Sequence, residues 1–358
     1  MNTFKLAQVP GIARSAFIAR STRAIARGAR AWLRRATAVG LLAAVAGAAQ
    51  AQAPAPALWP TKPVRLVVTF TAGGAADFTA RLIGEKLSEL WKQQVVVENR
   101  IGAGGNIGVE TVFRSPADGY TLLLASTANP INVALYTKLP FDLFKDFVPI
   151  ALATSSPMAL AVNPSVKEND LRQFTAALRA APGKVSYATC GVATSHHFAF
   201  ELYKAQTRTF ALHIPYRGCA AAVIDTVGGQ IDTVISSLNT LLPHQASGKL
   251  KIIAVTSKSR SVSAPDVPTF RESGVPELKD YGTSVYYGFM APAGTPKDIV
   301  AKIEADVRRV VAMPDVAQRV VNGGLEVAFV GGAEMGAVMR TDAEQFKKII
   351  TYAGIRPE

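Results

Sequence analysis

Acidic residues are missing from the first 76 positions of this 358-residue chain: the first carboxylate is Asp77. Cysteine is scarce, with Cys190 and Cys219 as the whole supply. They form no C-x-x-C, so zinc-ribbon and thioredoxin-type chemistry has no support. Histidine is limited to His196, His197, His213 and His244. The chain contains no H-E-x-x-H and no G-x-S-x-G elbow, the signatures of two large hydrolase classes. No lysine follows a glycine run in the G-x-x-x-x-G-K-[ST] order of a phosphate-binding loop. No apolar run reaches the roughly 18 residues that span a bilayer as a helix. These absences leave no catalytic residue, metal or cofactor to expect.

The chain does have apolar residues in quantity, 49% hydrophobic against 18% charged. That is enough for a large core and about two domains. The net charge of +13 points at first to nucleic acid or an anionic membrane. Its distribution removes that reading. Lys5, Arg14, Arg20, Arg23, Arg27, Arg30, Arg34 and Arg35 all precede Ala36 and leave only +5 for the rest. ATAVGLLAAVAGAAQAQA follows, an apolar stretch of about 14 residues ending in A-x-A. Residues 1–53 therefore read as a signal peptide cleaved near Ala51 or Ala53. A twin-arginine signal at Arg34-Arg35 and a mitochondrial transit peptide are the alternatives. The rest of a twin-arginine consensus is missing, which favours a Sec signal, and the tight apolar stretch and the A-Q-A ending argue against a transit peptide. No cysteine lies near the cleavage site, which excludes a lipid-anchored lipoprotein. The expected product is periplasmic, binds no nucleic acid, and sits where a disulfide is allowed.

VRLVVTF reads as a buried strand and ADFTARLIGEKLSELW as an amphipathic helix. QVVVEN, IGVETVFRS and YTLLLAS continue as strand, helix, strand. This rhythm predicts a parallel sheet with helices on both faces. FVPIALATSSPMALAVNP reads as two strands joined by a turn. A second series follows: the helix DLRQFTAALRAAPG with Asp170 as N-cap, KVSYATC, the helix SHHFAFELYKAQT, FALHIPY, AAAVIDTVGG, QIDTVISS and KLKIIAVTS. YGTSVYYGFMAPAG returns to extended chain. TPKDIVAKIEADVRRVV reads as a helix with Thr295 as N-cap and Pro296 at N1, and the tail as a further helix. Two α/β lobes with a ligand cleft between them accommodate this order, the ligand lying at the carboxyl ends of the strands.

Four turns sit at such strand ends: Thr71-Ala72-Gly73, Ser126 to Asn129, Thr189-Cys190-Gly191 and Tyr216-Arg217-Gly218. The first lies in TFTAGGAADFTARL, where Gly73 and Gly74 let backbone approach a ligand and the following helix start attracts an anion. Asp77 is either a cap for that helix or part of the site. Hydroxyls, amides and backbone N–H groups dominate these turns, which suits a small carboxylate held by hydrogen bonds, with Arg217 adding positive charge. GAGGNIG misses the dinucleotide fingerprint, because Ile107 stands where the third glycine belongs; it reads as a tight loop around Asn106. Adjacent His196 and His197 diverge by about 100° on a helix and cannot share one metal. Asp225 and Asp232 read as capping or solvated carboxylates, and Arg81 and Arg100 as partners of nearby acids. Phe70 and Tyr216 are candidates to flank a ligand, with core packing the other reading for Phe70. Cys190 and Cys219 each follow a predicted strand. If those strands are neighbours the thiols come within disulfide reach; otherwise they are a free buried pair.

At WPTKPVRLVVTFTAGGAADFTARL, VVVENRIGAGGNIGVE, ADGYTLLLAS, NVALYTKLPFDLFKDFVPIALA, HIPYRGCAAAVIDTVGGQID and GFMAPAGTPKDIV the chain resembles the Bug family. These are the extracytoplasmic solute receptors of tripartite tricarboxylate transporters. The resemblance implies a type II periplasmic binding-protein fold closing on a carboxylate, a di- or tricarboxylate or an aromatic acid. It implies one lobe from residue 59 to 156 plus 281 to 358, and a second from 157 to 280. It places one end of the ligand at Phe70, Thr71, Ala72, Gly73 and Gly74 with Asp77 behind. It places the other end at Thr189, Cys190, Gly191, Thr194, Ser195 and His196 and at Tyr216, Arg217 and Gly218. Thr127 and Asn129 join from the third turn. Ala193 stands where a second glycine is common in the family, and Cys219 where a small neutral residue is usual. The implied molecule is a monomer serving a membrane carrier. A sensory receptor without a transport role and, less favoured, an exported α/β enzyme are the alternatives.

Overall fold

VRLVV forms β1 (Val64–Val68), in which every residue except Arg65 is fully buried. The computed structural model describes residues 59–356, so the expected signal peptide and its cleavage positions lie outside the described residues. Helix α1 (Ala75–Trp91) follows, burying Leu82, Ile83 and Leu87 on one face. β2 (Val95–Asn99), α2 (Asn106–Phe113), β3 (Thr121–Ser126) and α3 (Ala128–Leu135) complete the first series. β1 pairs in parallel with both β2 and β3, because a strand–helix–strand crossover returns each strand in the same direction.

The chain then changes sheet. β4 (Phe147–Ser156) belongs to the first sheet and β5 (Met158–Val162) to the second, with only Pro157 between them. The expected turn between these strands is therefore a crossing. Proline suits the position because it has no N–H to leave unpaired, and its carbonyl accepts the Leu238 N–H at 2.8 Å. The second series is α4 (Leu171–Ala180), β6 (Ser186–Thr189), α5 (Ser195–Thr207), β7 (Leu212–Pro215), α6 (Cys219–Val227), β8 (Thr233–Ser237), α7 (Leu238–Ala246) and β9 (Lys251–Val255). β10 (Val285–Pro292) returns to the first sheet, followed by α8 (Lys297–Val311), α9 (Pro314–Asn322), β11 (Glu326–Gly331) and α10 (Gly332–Ala353).

The sheet orders are β11-β4-β10-β3-β1-β2 and β7-β6-β8-β5-β9. Each sheet is mixed, where the sequence rhythm predicts a parallel one. The strand triplets of the two series are parallel, but the crossing strands run against their neighbours: β10 against β3 and β4, β5 against β8 and β9. Asp170 caps α4 as expected, its Oδ1 accepting the Gln173 N–H at 2.7 Å. Thr295 does not cap α8. Pro296 is the N-cap, and the Thr295 hydroxyl donates instead to the Pro292 carbonyl at 2.8 Å.

The two sheets share a core. Ile131 and Leu135 of α3 cluster with Phe174, Phe198 and Tyr203 of the second series and with Phe346 and Ile349 of α10. The Phe198 and Phe346 rings lie 5.0 Å apart. Thr256 ties the two crossing segments together, its hydroxyl lying 3.1 Å from the Met158 carbonyl and 2.8 Å from that of Thr283. Thr256→Val keeps the shape and removes the donor. We expect a loss of about 1–2 kcal/mol in urea unfolding; an unchanged midpoint would show that the tie contributes nothing.

Candidate ligand-binding site

A cavity of about 880 Å³ is lined from both sheets by residues at strand ends and helix starts. From the first sheet come Phe70, Thr71 and Gly74 after β1, Ser126 at the end of β3 and Ala128 at the start of α3. From the second come Cys190 after β6, Thr194 to His196 at the start of α5, Gly218 and Cys219 at the start of α6, and Ser237 at the end of β8. The parallel topology produces this convergence. Each helix begins where its strand ends, so its first N–H groups face the same side.

Among these helix starts α1, α3, α6 and α7 have no side-chain cap, and at two of them the preceding residue is glycine. Gly74 precedes α1 and Gly218 precedes α6, and neither has a side chain to satisfy the first N–H groups. Both ends carry the positive pole of the helix dipole, and an anion there is stabilised by about 0.3–1 kcal/mol per helix end, more when partly buried. α5 differs: the Thr194 hydroxyl accepts the His197 N–H. No lining residue is an Asp, Glu, Lys or Arg. His196 is the one titratable imidazole in the lining, and burial lowers its pKa to about 4, so it is neutral at pH 7.

Phe70, Thr71, Gly74, Cys190, Thr194, Ser195, His196 and Gly218 of the expected set line the cavity. Phe70 is 37% exposed, which removes the core-packing reading. The remaining residues stand behind the site or beside it. Ala72 and Gly73 are exposed and Gly191 is partly exposed, none of them in the lining. Asp77 lies behind the first loop, accepting the Gly73 N–H at 2.9 Å, Arg81 Nε at 2.9 Å and Asn99 Nδ2 at 3.0 Å. Burial acts to raise its pKa, but these donors outweigh burial and hold it at about 2. Thr127 binds β10, accepting the Tyr286 N–H at 3.0 Å, and Asn129 Oδ1 accepts the Ser126 N–H at 2.7 Å. The buried Thr189 hydroxyl lies 2.7 Å from His213 Nε2. Tyr216 donates to Asp225 at 2.6 Å. Arg217 is exposed and outside the lining, so it contributes no contact to the cavity wall.

Several lining residues carry no local sequence signal for a ligand site. Gly102 to Gly105 belong to the cavity wall as well as to a tight loop. Gly105, at φ +96°, passes so close to Thr69 that a Cβ there would lie 3.0 Å from it. Asn132 holds this loop through its Nδ2, 2.8 Å from the Gly104 carbonyl. Tyr287 is 8% exposed, lines the cavity, and its hydroxyl has no hydrogen-bond partner among the described residues. An inward-facing tyrosine on a returning strand carries no local motif that would announce it.

Cys190 and Cys219 form a disulfide, with Cα atoms 4.2 Å apart. β6 and β7 are parallel neighbours, so the turns that follow them meet. Closing a loop across 29 residues removes about 3–4 kcal/mol of unfolded-chain entropy and pins the α6 start to the β6 turn. Cys190, Cys219 and His196 place their ligand atoms within 4.8 Å of one another. With the sulfurs bonded together neither is a thiolate, and the trio offers no metal site as it stands.

Beneath the turn between β6 and α5 lies a buried polar column. The Glu201 carboxylate takes Lys204 Nζ at 2.6 Å and the Tyr187 hydroxyl, with His197 Nε2 at 3.7 Å. Burial acts to raise its pKa, and the hydrogen bonds from His197, Lys204 and Tyr187 outweigh that and hold it at about 2. His197 stacks on His213 at 4.0 Å. Its Nδ1 accepts the Ala193 N–H at 3.2 Å, securing a residue held at φ +57° in the cavity wall. A left-handed alanine is strained and persists only where its surroundings hold it. His197→Leu should therefore weaken ligand binding, whereas His197→Asn, whose amide oxygen can replace Nδ1, should restore most of it. Equal affinities for the two variants in calorimetry would remove this role.

Acid sensitivity follows from the same groups. Burial first, then repulsion from His197, lowers the His213 pKa to about 3. An unfolded histidine titrates near 6.5. Below that pH the unfolded chain takes up protons that folded His196 and His213 refuse, so stability falls as pH drops from about 6.5 towards 3. Glu201, depressed to about 2, adds a further loss below about 4.5. The melting temperature should decline through this range, and His196→Asn should make the part between 6.5 and 4 shallower, leaving the His213 share. A flat profile from pH 6.5 to 4 would contradict the assignment.

Comparison with known proteins agrees with this geometry. Residues 79–355 match the family model of the tripartite tricarboxylate transporter family receptor, TctC. Protein BugT of Bordetella pertussis is 38% identical over 266 residues, covering 73% of this chain and 80% of BugT. An R. palustris protein solved with adipate superposes with a TM-score of 0.69 at 29% identity, over 84% of this chain and 100% of its own. MatC from Rhodopseudomonas palustris, solved with bound malate, gives 0.66 at 28% identity, over 82% and 100%. The family and these neighbours are solute-binding receptors, not enzymes. Motifs, two-sheet architecture and matches agree, and the chain belongs to the TctC family, the receptors of tripartite tricarboxylate transporters.

Proposed function

We propose that this protein is an exported periplasmic receptor that captures a small organic carboxylate between two lobes and delivers it to a membrane carrier. The observation that carries this reading is the pair of uncapped helix starts preceded by glycine, α1 and α6, at one cavity with no formally charged side chain in its wall. Partial charges on backbone N–H groups can hold a carboxylate without a buried counter-charge, whose desolvation would offset much of the Coulomb gain. The malate and adipate in the two R. palustris neighbours support the ligand class. The lobes would comprise residues 59–156 with 281–358, and 157–280. Signal cleavage near Ala51 or Ala53 and a monomeric product complete the reading.

A thermal-shift screen tests it. A carboxylate that binds only the folded state at a hundredfold excess over its Kd stabilises by about 2.7 kcal/mol, and NAD serves as the negative control. We expect a shift with at least one acid and none with NAD. Silence across all acids, or a shift with NAD, would overturn the receptor reading. Gly74 sits at φ −82°, which any residue adopts, and a Cβ there meets nothing closer than the Thr71 carbonyl at 3.7 Å. Gly74→Leu should therefore fold normally and lose at least tenfold in affinity.

A further inference from the structure

The chemistry of the cavity wall says more about the ligand than the helix starts do. Between the two lobes' turns the wall is apolar: Ile131, Leu135, Val192 and Val285 line it. These four belong to, or pack directly against, the core shared by the two sheets, so this surface is rigid. Two further apolar side chains from the first sheet's loops line the same space while largely open to solvent, Phe70 at 37% exposure and Ile101 at 55%. Large exposed apolar residues that converge on a cavity mark a surface built to be covered. The polar side chains of the lining, among them Thr71, Ser126, Asn132, Tyr136 and Ser195, are uncharged. The Tyr287 hydroxyl lacks a partner among the described residues, and His196 is occupied with Ser237 Oγ at 3.3 Å.

We propose that the preferred ligand is a monocarboxylate carrying a ring-sized apolar body, an aromatic acid rather than a short polar diacid. This rests on the receptor reading above and refines it. A short hydroxy-diacid is polar along its length. It would leave the wall of Ile131, Leu135 and Val285 facing water. A ring-bearing monoacid sets its one charge at a helix start and covers the apolar surface with its body. Its ring also suits the quadrupole contacts that Phe70 and Tyr287 offer. The cavity, at about 880 Å³, is far larger than a four-carbon acid needs.

Isothermal titration calorimetry on the purified protein, dialysed free of ligand, decides the matter with benzoate, phenylacetate, malate, citrate and adipate. We expect a ring acid to bind at least tenfold tighter than malate, citrate or adipate, from the apolar area it alone buries. Ile101 is exposed, so Ile101→Ser should fold; it should weaken ring-acid binding roughly tenfold and leave malate binding within about twofold. If malate, citrate or adipate binds tightest, or if Ile101→Ser weakens all acids equally, the aromatic assignment is overturned while the receptor reading stands. If no acid binds, the receptor reading falls and this inference with it.

Discussion

A helix that follows a parallel strand must begin at the strand's carboxyl end, and the remaining features of this molecule follow from that constraint. β1, β3, β6 and β7 each run into a turn and then a helix, and each turn contributes residues to one cavity. The chain supplies glycine at two of these starts, Gly74 and Gly218, so the helix N–H groups there are not taken up by a capping side chain. A binding site for an anion is thus assembled from backbone. It needs no lysine or arginine in its wall, and none lines it. Side chains such as Asp77 and Asn99 act one step back, fixing the loop that presents the backbone.

The two halves are joined more extensively than two strands crossing would require. Pro157 and the segment from Thr256 to Ser284 carry the chain between sheets, while α10 brings Phe346 and Ile349 against Phe198 of α5. A second cavity of about 510 Å³ lies between α7 and the turn from α9 to β11. Beside it the Glu326 carboxylate of β11 accepts the Ser261 hydroxyl at 2.5 Å and the Val262 N–H at 3.2 Å. Polar ties of this kind are exchanged more readily for water than apolar packing is.

Much of this is legible in the sequence because period and punctuation agree. VRLVV reads as a buried strand from its apolar β-branched run, α5 from its helical spacing, and the α4 start from Asp170. Other elements escape for physical reasons. α7 carries Pro243 inside it, α9 is 9 residues long, and β11 is a half-exposed edge strand between glycine pairs, so none has a strong periodic signal. The strand-end turns were visible as a set, but which atoms they present was not. Thr127, Asn129, Thr189 and Tyr216 have the right chemistry for a ligand and spend it on neighbouring strands and side chains. Tyr287 and Asn132 reach the cavity through tertiary packing, with no local motif. The disulfide needed the knowledge that β6 and β7 are neighbours, which is a fact of topology.

The central claim is that backbone at helix starts, and not a charged side chain, holds the ligand's carboxylate. A crystal structure of the protein with its bound acid addresses this directly. The account predicts carboxylate oxygens within hydrogen-bond distance of the N–H groups of Ala75 and Ala76 at α1, or of Cys219 at α6. A carboxylate paired with a cation such as Arg217, or seated outside the cavity, would contradict it.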